Sequence, residues 1–309
     1  MKSCPLFLYA LDPTHIGAGG YRLGRVDLTV LRDVATQLPK IPGSSLSGVT
    51  RAAAIYSLQD AAQRNMAQEY ARATIDPKKQ NQKRPHPGSE DPVAQIFGYA
   101  EGDESGSSRI GMVSFRDAEI FAFPVPTMLG PRWITTPFLL ERAGCKLDPK
   151  LKPEDETGVF MQGKKAGNGQ RLNLGWLLLE TRTAEIPFPP ELLADSAMSY
   201  VRDHLILVHE NLFPALVNAN LETRTSVSID FETGAGVDGA LFTYEAMPRG
   251  TLYRGQIDFD DLRFPDLYHR GKTLVEHGLA LACQLGVGAM TTRGFGRMQP
   301  VLITSATGA

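Results

Sequence analysis

Hydrophobic residues fall along this chain in short blocks whose period changes several times. Cys4 to Leu11 (CPLFLYAL) is a compact apolar run closed by Asp12 and Pro13, and it predicts a first strand. Thr14 to Gly24 (THIGAGGYRLG) holds four glycines in eleven residues and predicts a loop. Pro42 and Gly43 mark a turn, Ser44 or Ser45 offers an N-cap, and Leu46, Val49, Ala53 and Tyr56 recur at helical spacing, which predicts a helix from about Ser45 to Gln63. Asp76 to Pro92 is polar, proline-rich and aperiodic, the pattern of a mobile surface loop. Ile110 to Phe123 is rich in β-branched and aromatic residues and predicts one or two strands.

Thr136 before Pro137 carries the cap-plus-proline signature of a short helix over Pro137 to Arg142. Lys146 to Arg171 is charged and glycine-rich, so it reads as a second insertion. Pro190 to Leu221 predicts a helical region, with Leu193, Met198, Val201, Leu205 and Val208 on one broad face. Thr225 to Phe231, Ala240 to Tyr244 and Thr251 to Phe259 read as strands separated by turn chemistry, a hairpin with an exposed tip. Leu267 to Leu285 predicts a strong helix and Thr292 to Ile303 a last strand. The order is strand, helix, strands, inserted material, helix, strand. That predicts an α+β chain with the ferredoxin-like β-α-β-β-α-β arrangement, long insertions and a protruding β-hairpin.

Composition changes this picture little. A 42% hydrophobic and 21% charged chain is that of an ordinary globular protein, and no apolar run reaches the roughly 18 residues of a membrane helix, so no membrane partner is expected. The apolar N-terminal stretch is too short, and too soon broken, for a secretory signal. Cys4, Cys145 and Cys283 are odd in number and far apart, which points to a reducing cytoplasm and away from disulfides or a zinc site. The net charge of −2 gives no global sign of a nucleic-acid partner, yet the charge is polarised. Residues 1–99 hold 12 Lys/Arg against 8 Asp/Glu, and residues 180–249 hold 4 against 11. Such a chain can present a basic face from an acidic bulk, although charge also fluctuates along any sequence.

Common catalytic signatures are missing. GAGG at Gly17 to Gly20 lacks dinucleotide-binding spacing, and Gly43 to Ser47 is not a nucleophile elbow. His204 and His209 lie five apart and so do not share a helical face. The positive signals are three glycine-rich pieces: His15-Ile16-Gly17-Ala18-Gly19, Pro42 to Gly48, and Thr291 to Arg297. Glycine lets a backbone approach a ligand and present its N–H groups. In the second piece the amides of Gly43, Ser44 and Ser45 open a helix, where the dipole favours an anion; Gly48 and Arg51 follow within two turns. The third sets Arg293 and Arg297 around Gly294, Phe295 and Gly296, a composition suited to phosphate contact and base stacking. Each piece also has a plain structural reading, as a helix cap or a tight strand entry.

Taken together, these residues resemble the RAMP superfamily, and within it the repeated backbone subunit of type III-B CRISPR effector complexes. The resemblance runs over most of the chain. It is carried by THIGAGG, GRVDLTVLRD, KIPGSSLSGVTR, GMVSFRDAEIFAFPVP, RWITTPFLLER, DGALFTYEAMPRGTLY and LGVGAMTTRGFGRM. The segments DLTVLRD, RWITTPFLLER and GALFTYEAMPRGTLY are the ones that point to this subunit.

The resemblance implies copies stacked in a helical filament along a guide CRISPR RNA, together with other subunits of the complex. A palm from residues 1–72, 105–145 and 262–309 of one domain grips the guide. Insertions fall at about 73–104 and 146–172. A thumb hairpin over about 226–247, its tip at Gly234, Gly236, Val237 and Gly239, wedges between bases. Target RNA is cut at regular intervals by one acidic residue per copy, which carries over to Asp27, also the residue to hold a divalent metal such as Mg2+ or Mn2+. His15 carries over with a weaker catalytic part. Where the family commonly has a lysine, this chain has Ser47, so guide binding there must lean on backbone amides, Ser44, Ser45 and Arg51. Two alternatives stay open: a non-cleaving RNA scaffold, and a metal-independent endonuclease that trims guide RNA with His15 as base.

Overall fold

The structure is a computed structural model in which residues 1–19, 26–75, 91–99, 108–163, 170–237 and 239–303 are described. The expected loop at 76–92 therefore lies outside the described residues except for Asp91 and Pro92. The chain opens with β1 (Lys2–Ala10), β2 (Lys40–Ile41), α1 (Gly43–Ser57), α2 (Ala61–Ile75) and α3 (Pro92–Phe97). Next come β3 (Gly98–Tyr99), β4 (Arg109–Ile110), β5 (Val113–Phe115), β6 (Ala118–Val125), β7 (Arg132–Thr135) and α4 (Pro137–Arg142). β8 (Gly158–Gln162), β9 (Gln170–Leu174), β10 (Leu177–Ala184), α5 (Ser196–Asp203), β11 (Leu205–Leu207) and α6 (Leu212–Ala219) follow. The chain closes with β12 (Glu222–Ser226), β13 (Phe242–Ala246), β14 (Leu252–Phe259), α7 (Tyr268–Leu285) and β15 (Met298–Leu302).

Most strands join one mixed sheet in the order β15-β1-β14-β6-β7-β11-β8-β10-β9. Its first four strands, β15, β1, β14 and β6, come fourth, first, third and second among themselves in chain order and all pair antiparallel. The alternation in β1 decides how this part is covered. Cys4, Leu6, Leu8 and Ala10 share a core with Leu46 of α1 and with Val275, Leu279 and Cys283 of α7. Phe7 points the other way, into a second core with Phe121, Trp133, Val201 and Leu252. In β6 the phase slips, since Ile120 and Phe123 face the first core but Phe121 and Ala122 the second. A register shift at Leu252/Tyr253 of the paired strand accommodates the slip, as a β-bulge does.

Several expectations need correction. The helix from Ser45 to Gln63 is two helices, because Leu58 turns extended and the Asp60 carboxylate restarts the chain by accepting from the amides of Ala62 and Gln63. The first begins at Gly43 with Pro42 as its cap residue, so neither Ser44 nor Ser45 caps it. The helical region at 190–221 contains a strand: Leu205 to Leu207 run parallel to β7 and bury both their faces. The insertion at 146–172 supplies β8 and part of β9 to the main sheet. The last strand starts at Met298, after a 3-10 turn at Thr291–Arg293. The helix over Pro137 to Arg142 stands as expected, with the Thr136 hydroxyl accepting from the amide of Leu139.

Candidate RNA-facing site

β12 and β13 form a hairpin outside the main sheet, paired from Glu222↔Ala246 to Ser226↔Phe242. Two-residue periodicity gives β13 two different faces. Phe242, Tyr244 and Ala246 lie on one face, packed with Phe295. Thr243 and Glu245 lie on the other, against the segment that carries Asp27. The Leu28 amide donates to the Thr243 carbonyl at 3.1 Å, and the Glu245 amide to the Leu28 carbonyl at 3.0 Å, so this segment runs parallel to β13.

Asp27 is half-buried at the near end of that segment. Its Oδ2 accepts from the Thr243 amide at 2.7 Å and from the Thr243 hydroxyl at 3.0 Å, while the Asp27 amide donates back to the Thr243 oxygen at 3.1 Å. The Thr243 amide, and then its hydroxyl, hold the Asp27 carboxyl below the usual carboxylate range, so the group is ionised at neutral pH. Of the arginines near Asp27 in sequence, Arg32 is committed to Glu245 Oε2 at 3.0 Å and to Asn218 Oδ1 at 2.9 Å. Arg22 and Arg25 lie outside the described residues.

His15 sits deeper, 3% exposed. Its Nδ1 lies 2.6 Å from the Glu245 carbonyl oxygen, which can only accept, so Nδ1 carries a proton and Nε2 is the ring nitrogen facing away from that bond. A Cβ on Gly17 would come 3.3 Å from that Nε2. The first glycine loop folds back on the Asp27 segment, through Ala18 to the Thr29 carbonyl and Leu31 to the Ile16 carbonyl, with Gly17 opposite Val30. Gly19 has a positive φ, and no described residue would lie within 4 Å of a Cβ there.

The third glycine piece docks on the same place. Gly296 donates to the Pro13 carbonyl and Ala289 to the His15 carbonyl, both at 2.9 Å. Gly288, at φ +102°, leaves no space for a side chain, since a Cβ would lie 2.5 Å from the His15 carbonyl oxygen. Phe295 is 1% exposed; Tyr244 meets its ring edge-on at 5.6 Å, and Arg224 lies 4.9 Å from its centre. The expectation that Phe295 stacks an RNA base is thus corrected: the ring is spent anchoring the hairpin. Arg293 lies over Phe242 at 5.7 Å, and Gly294 is in left-handed backbone beside it.

The glycine–serine turn has a different set of neighbours. Gly43 is buried, and its amide donates to Asp117 Oδ1 at 2.8 Å. Lys40 closes the arrangement, 2.8 Å from Asp117 and 3.2 Å from Asp33. The first amide of α1 is therefore taken by a carboxylate of the chain itself. Ser44 and Gly48 are exposed, Ser45, Ser47 and Arg51 half-buried, and the charge of Arg51 acts on Asp91.

The hairpin tip holds residues that the glycine pattern did not flag. Gly234 and Gly239 have positive φ, Gly236 bridges Ile229, and Val237 donates to the Ser228 carbonyl. Beyond them Phe231 is 95% and Ile229 61% exposed, with Val227 and Leu241 also open. Their alternation in Val227-Ser-Ile-Asp-Phe231 was a usable signal, but alternation alone reads as a strand with a buried face. Thr243 had no signal at all, because its partner is 216 residues away.

A family model described as the RAMP superfamily matches residues 7–299. The chain belongs to the RAMP superfamily. It is 26% identical over 274 residues, 82% of this chain and 80% of its relative, to the CRISPR system Cmr endoribonuclease Cmr4 of Pyrococcus furiosus. Among solved structures, it resembles one of type III-B Cmr-beta bound to cognate target RNA, with TM-score 0.62 and 16% identity over 98% of this chain and 97% of that one. It also resembles the crystal structure of oligomeric Cmr4 from Pyrococcus furiosus, with TM-score 0.55 and 18% identity over 99% and 100%. At such identities the structural likeness concerns the fold.

In this RAMP chain, Asp27 stands as a lone carboxylate: among the described residues no three His, Cys, Asp or Glu side chains gather as a metal site. Oδ2 is engaged by Thr243, and among the described residues no hydrogen bond reaches Oδ1. Magnesium keeps several waters and takes as few as one carboxylate beside phosphate oxygens, so this donor set fits one cation shared with RNA. No described helix is long and apolar enough to cross a membrane.

Proposed function

We propose that this chain is the guide-RNA-binding backbone subunit of a cytoplasmic type III-B CRISPR effector complex, stacked with copies of itself and with other subunits, and that it cuts target RNA through Asp27. The observation that carries this reading is that the candidate acid and the hairpin are one unit, Asp27 being hydrogen-bonded to Thr243 at the hairpin's root. The strand order 4-1-3-2, with α1 and α7 over one face, supports a ferredoxin-like palm, and the hairpin takes the part of the thumb.

The reaction class is attack of the RNA 2′-OH on the adjacent phosphate, since RNA carries its own nucleophile. The hydroxyl must be aligned with the leaving oxygen and give up its proton, and charge on the phosphate must be offset. Phe231 and Ile229 at the tip would splay the strand as apolar wedges, which provides the alignment. Asp27, ionised and with no hydrogen bond to Oδ1 among the described residues, takes up the 2′-OH proton through a water as the bond from phosphorus to the leaving 5′-oxygen breaks. A divalent cation, Mg2+ or Mn2+, would be held by Asp27 and supply charge neutralisation at the phosphate. His15, buried and committed to Glu245, supports the loop, and its burial speaks against a part as general base.

The test is a complex assembled with guide, complementary target and Mg2+. Regularly spaced fragments are expected, and a chelator should stop cutting while the target stays bound. Target left intact by the complete complex with metal would overturn the cleaving role. Cutting that survives chelation would overturn the metal's part in it.

A further inference from the structure

We propose that Thr243 is the positioning residue of the cleaving acid, its hydroxyl setting the direction of the Asp27 carboxylate and tying it to the hairpin. This rests on Asp27 being that acid. Among the described residues two hydrogen bonds reach Oδ2, at 2.7 and 3.0 Å, and both come from Thr243. The hydroxyl works in both directions, because it also accepts from the Asp27 amide at 3.1 Å. A carboxylate held through one oxygen by two donors of one residue has its torsion set, and its second oxygen is the one left for the reaction.

Thr243 can do this only if it is itself immobile, and both faces of β13 make it so. Its carbonyl accepts from Leu28, and the next residue, Tyr244, packs on Phe295 and His15. Glu245 is locked by Arg32 and by the Val30 amide. The neighbour Phe242 lies under Arg293. The acid is thus fixed by a strand whose distal end is the exposed apolar tip. A duplex that engages the tip bears on the same rigid element that aims the carboxylate.

Thr243→Val removes the hydroxyl and keeps the shape, the β-branching and the backbone amide. In the assembled complex it is expected to lower the cleavage rate at saturating target by about ten- to a hundredfold, the effect of a misaimed reacting group, with target affinity and guide retention unchanged. Thr243→Ser, which restores the hydroxyl without the methyl, should recover most of the rate. A structural role alone would predict the reverse order, with Val the better replacement. Wild-type cleavage by Thr243→Val, or equal loss in both variants with binding intact, would overturn the inference. Should Val fail to assemble, Ser against Ala at the same position decides, with Ser expected to cut near the wild-type rate and Ala to show the ten- to hundredfold loss. Asp27→Ala is run beside them. If it cuts normally the acid itself is misassigned, whereas a dead Asp27→Ala with a fully active Thr243→Val removes only the positioning role.

Discussion

Replacing Asp27 with alanine in the assembled complex is expected to reduce target cleavage by about a hundred- to ten-thousandfold, the usual worth of a group that moves a proton in the transition state. Guide retention and target affinity should not change. The physical reason lies in how the segment is held. Leu28, Ala18 and Leu31 are tied by backbone hydrogen bonds to Thr243, Thr29 and Ile16, none of which needs the carboxylate. Asp27 is half-buried, so truncation leaves the Thr243 donors within reach of water instead of stranding them in a dry core. A labelled target on a gel measures the cut, and filter retention of the same target measures binding. Unchanged cleavage by Asp27→Ala would make the chain a scaffold whose target is cut by another subunit.

Gly43→Ala should destabilise the isolated chain by about 3 kcal/mol, the upper part of the range for forcing atoms into a packed interior. That corresponds to a Tm lower by roughly 5 °C for a chain of this length. A Cβ at this position would lie 2.1 Å from the Phe115 carbonyl oxygen, and the Gly43 amide would be pushed off Asp117. This separates two readings of one motif. If the glycine served mainly to admit a phosphate, the substitution would weaken RNA binding and leave the RNA-free protein intact. Gly48, one turn further into α1, is the control: its Cβ would meet nothing within 4 Å among the described residues. Gly48→Ala should therefore stabilise the helix, by about 0.5–1 kcal/mol. Thermal melts of both variants without RNA give the answer, and an unchanged Tm for Gly43→Ala would refute the packing account.

The opening motif shows how far residues in a row can be read. Gly43-Ser44-Ser45 was legible as a helix start, because turn chemistry and helical spacing are local. That its first amide is closed to an outside anion was not legible, since the amide's acceptor, Asp117, comes from the connection between β5 and β6, 74 residues on. Leu205 to Leu207 illustrates the same limit for the fold. An apolar run of three fits a helical face as well as a strand, and only its parallel partner at Trp133 to Thr135 settles the matter. Phe295 looked like a stacking residue by composition. Burial against Tyr244, which no spacing in the sequence announces, makes it an anchor.

By itself, the sequence determined the mixture of helices and strands, the β1–α1 start, the helix over Pro137 to Arg142 and the long helix α7, whereas the strand expected over Thr225 to Phe231 is displaced, the structure pairing Glu222–Ser226 with Phe242–Ala246. It also carried the motifs of the RAMP superfamily. Those features depend on period, capping and turn residues within about a dozen positions, so they survive without knowledge of the fold. The tertiary structure alone decided that three glycine-rich pieces divide into two places. It also showed that His15 is buried under the hairpin, and that Asp27 is aimed by Thr243. Each of these turns on a hydrogen bond or a steric contact between residues far apart in the chain. Such a contact leaves no periodic trace in either segment, and comes into being only when the sheet brings the two together.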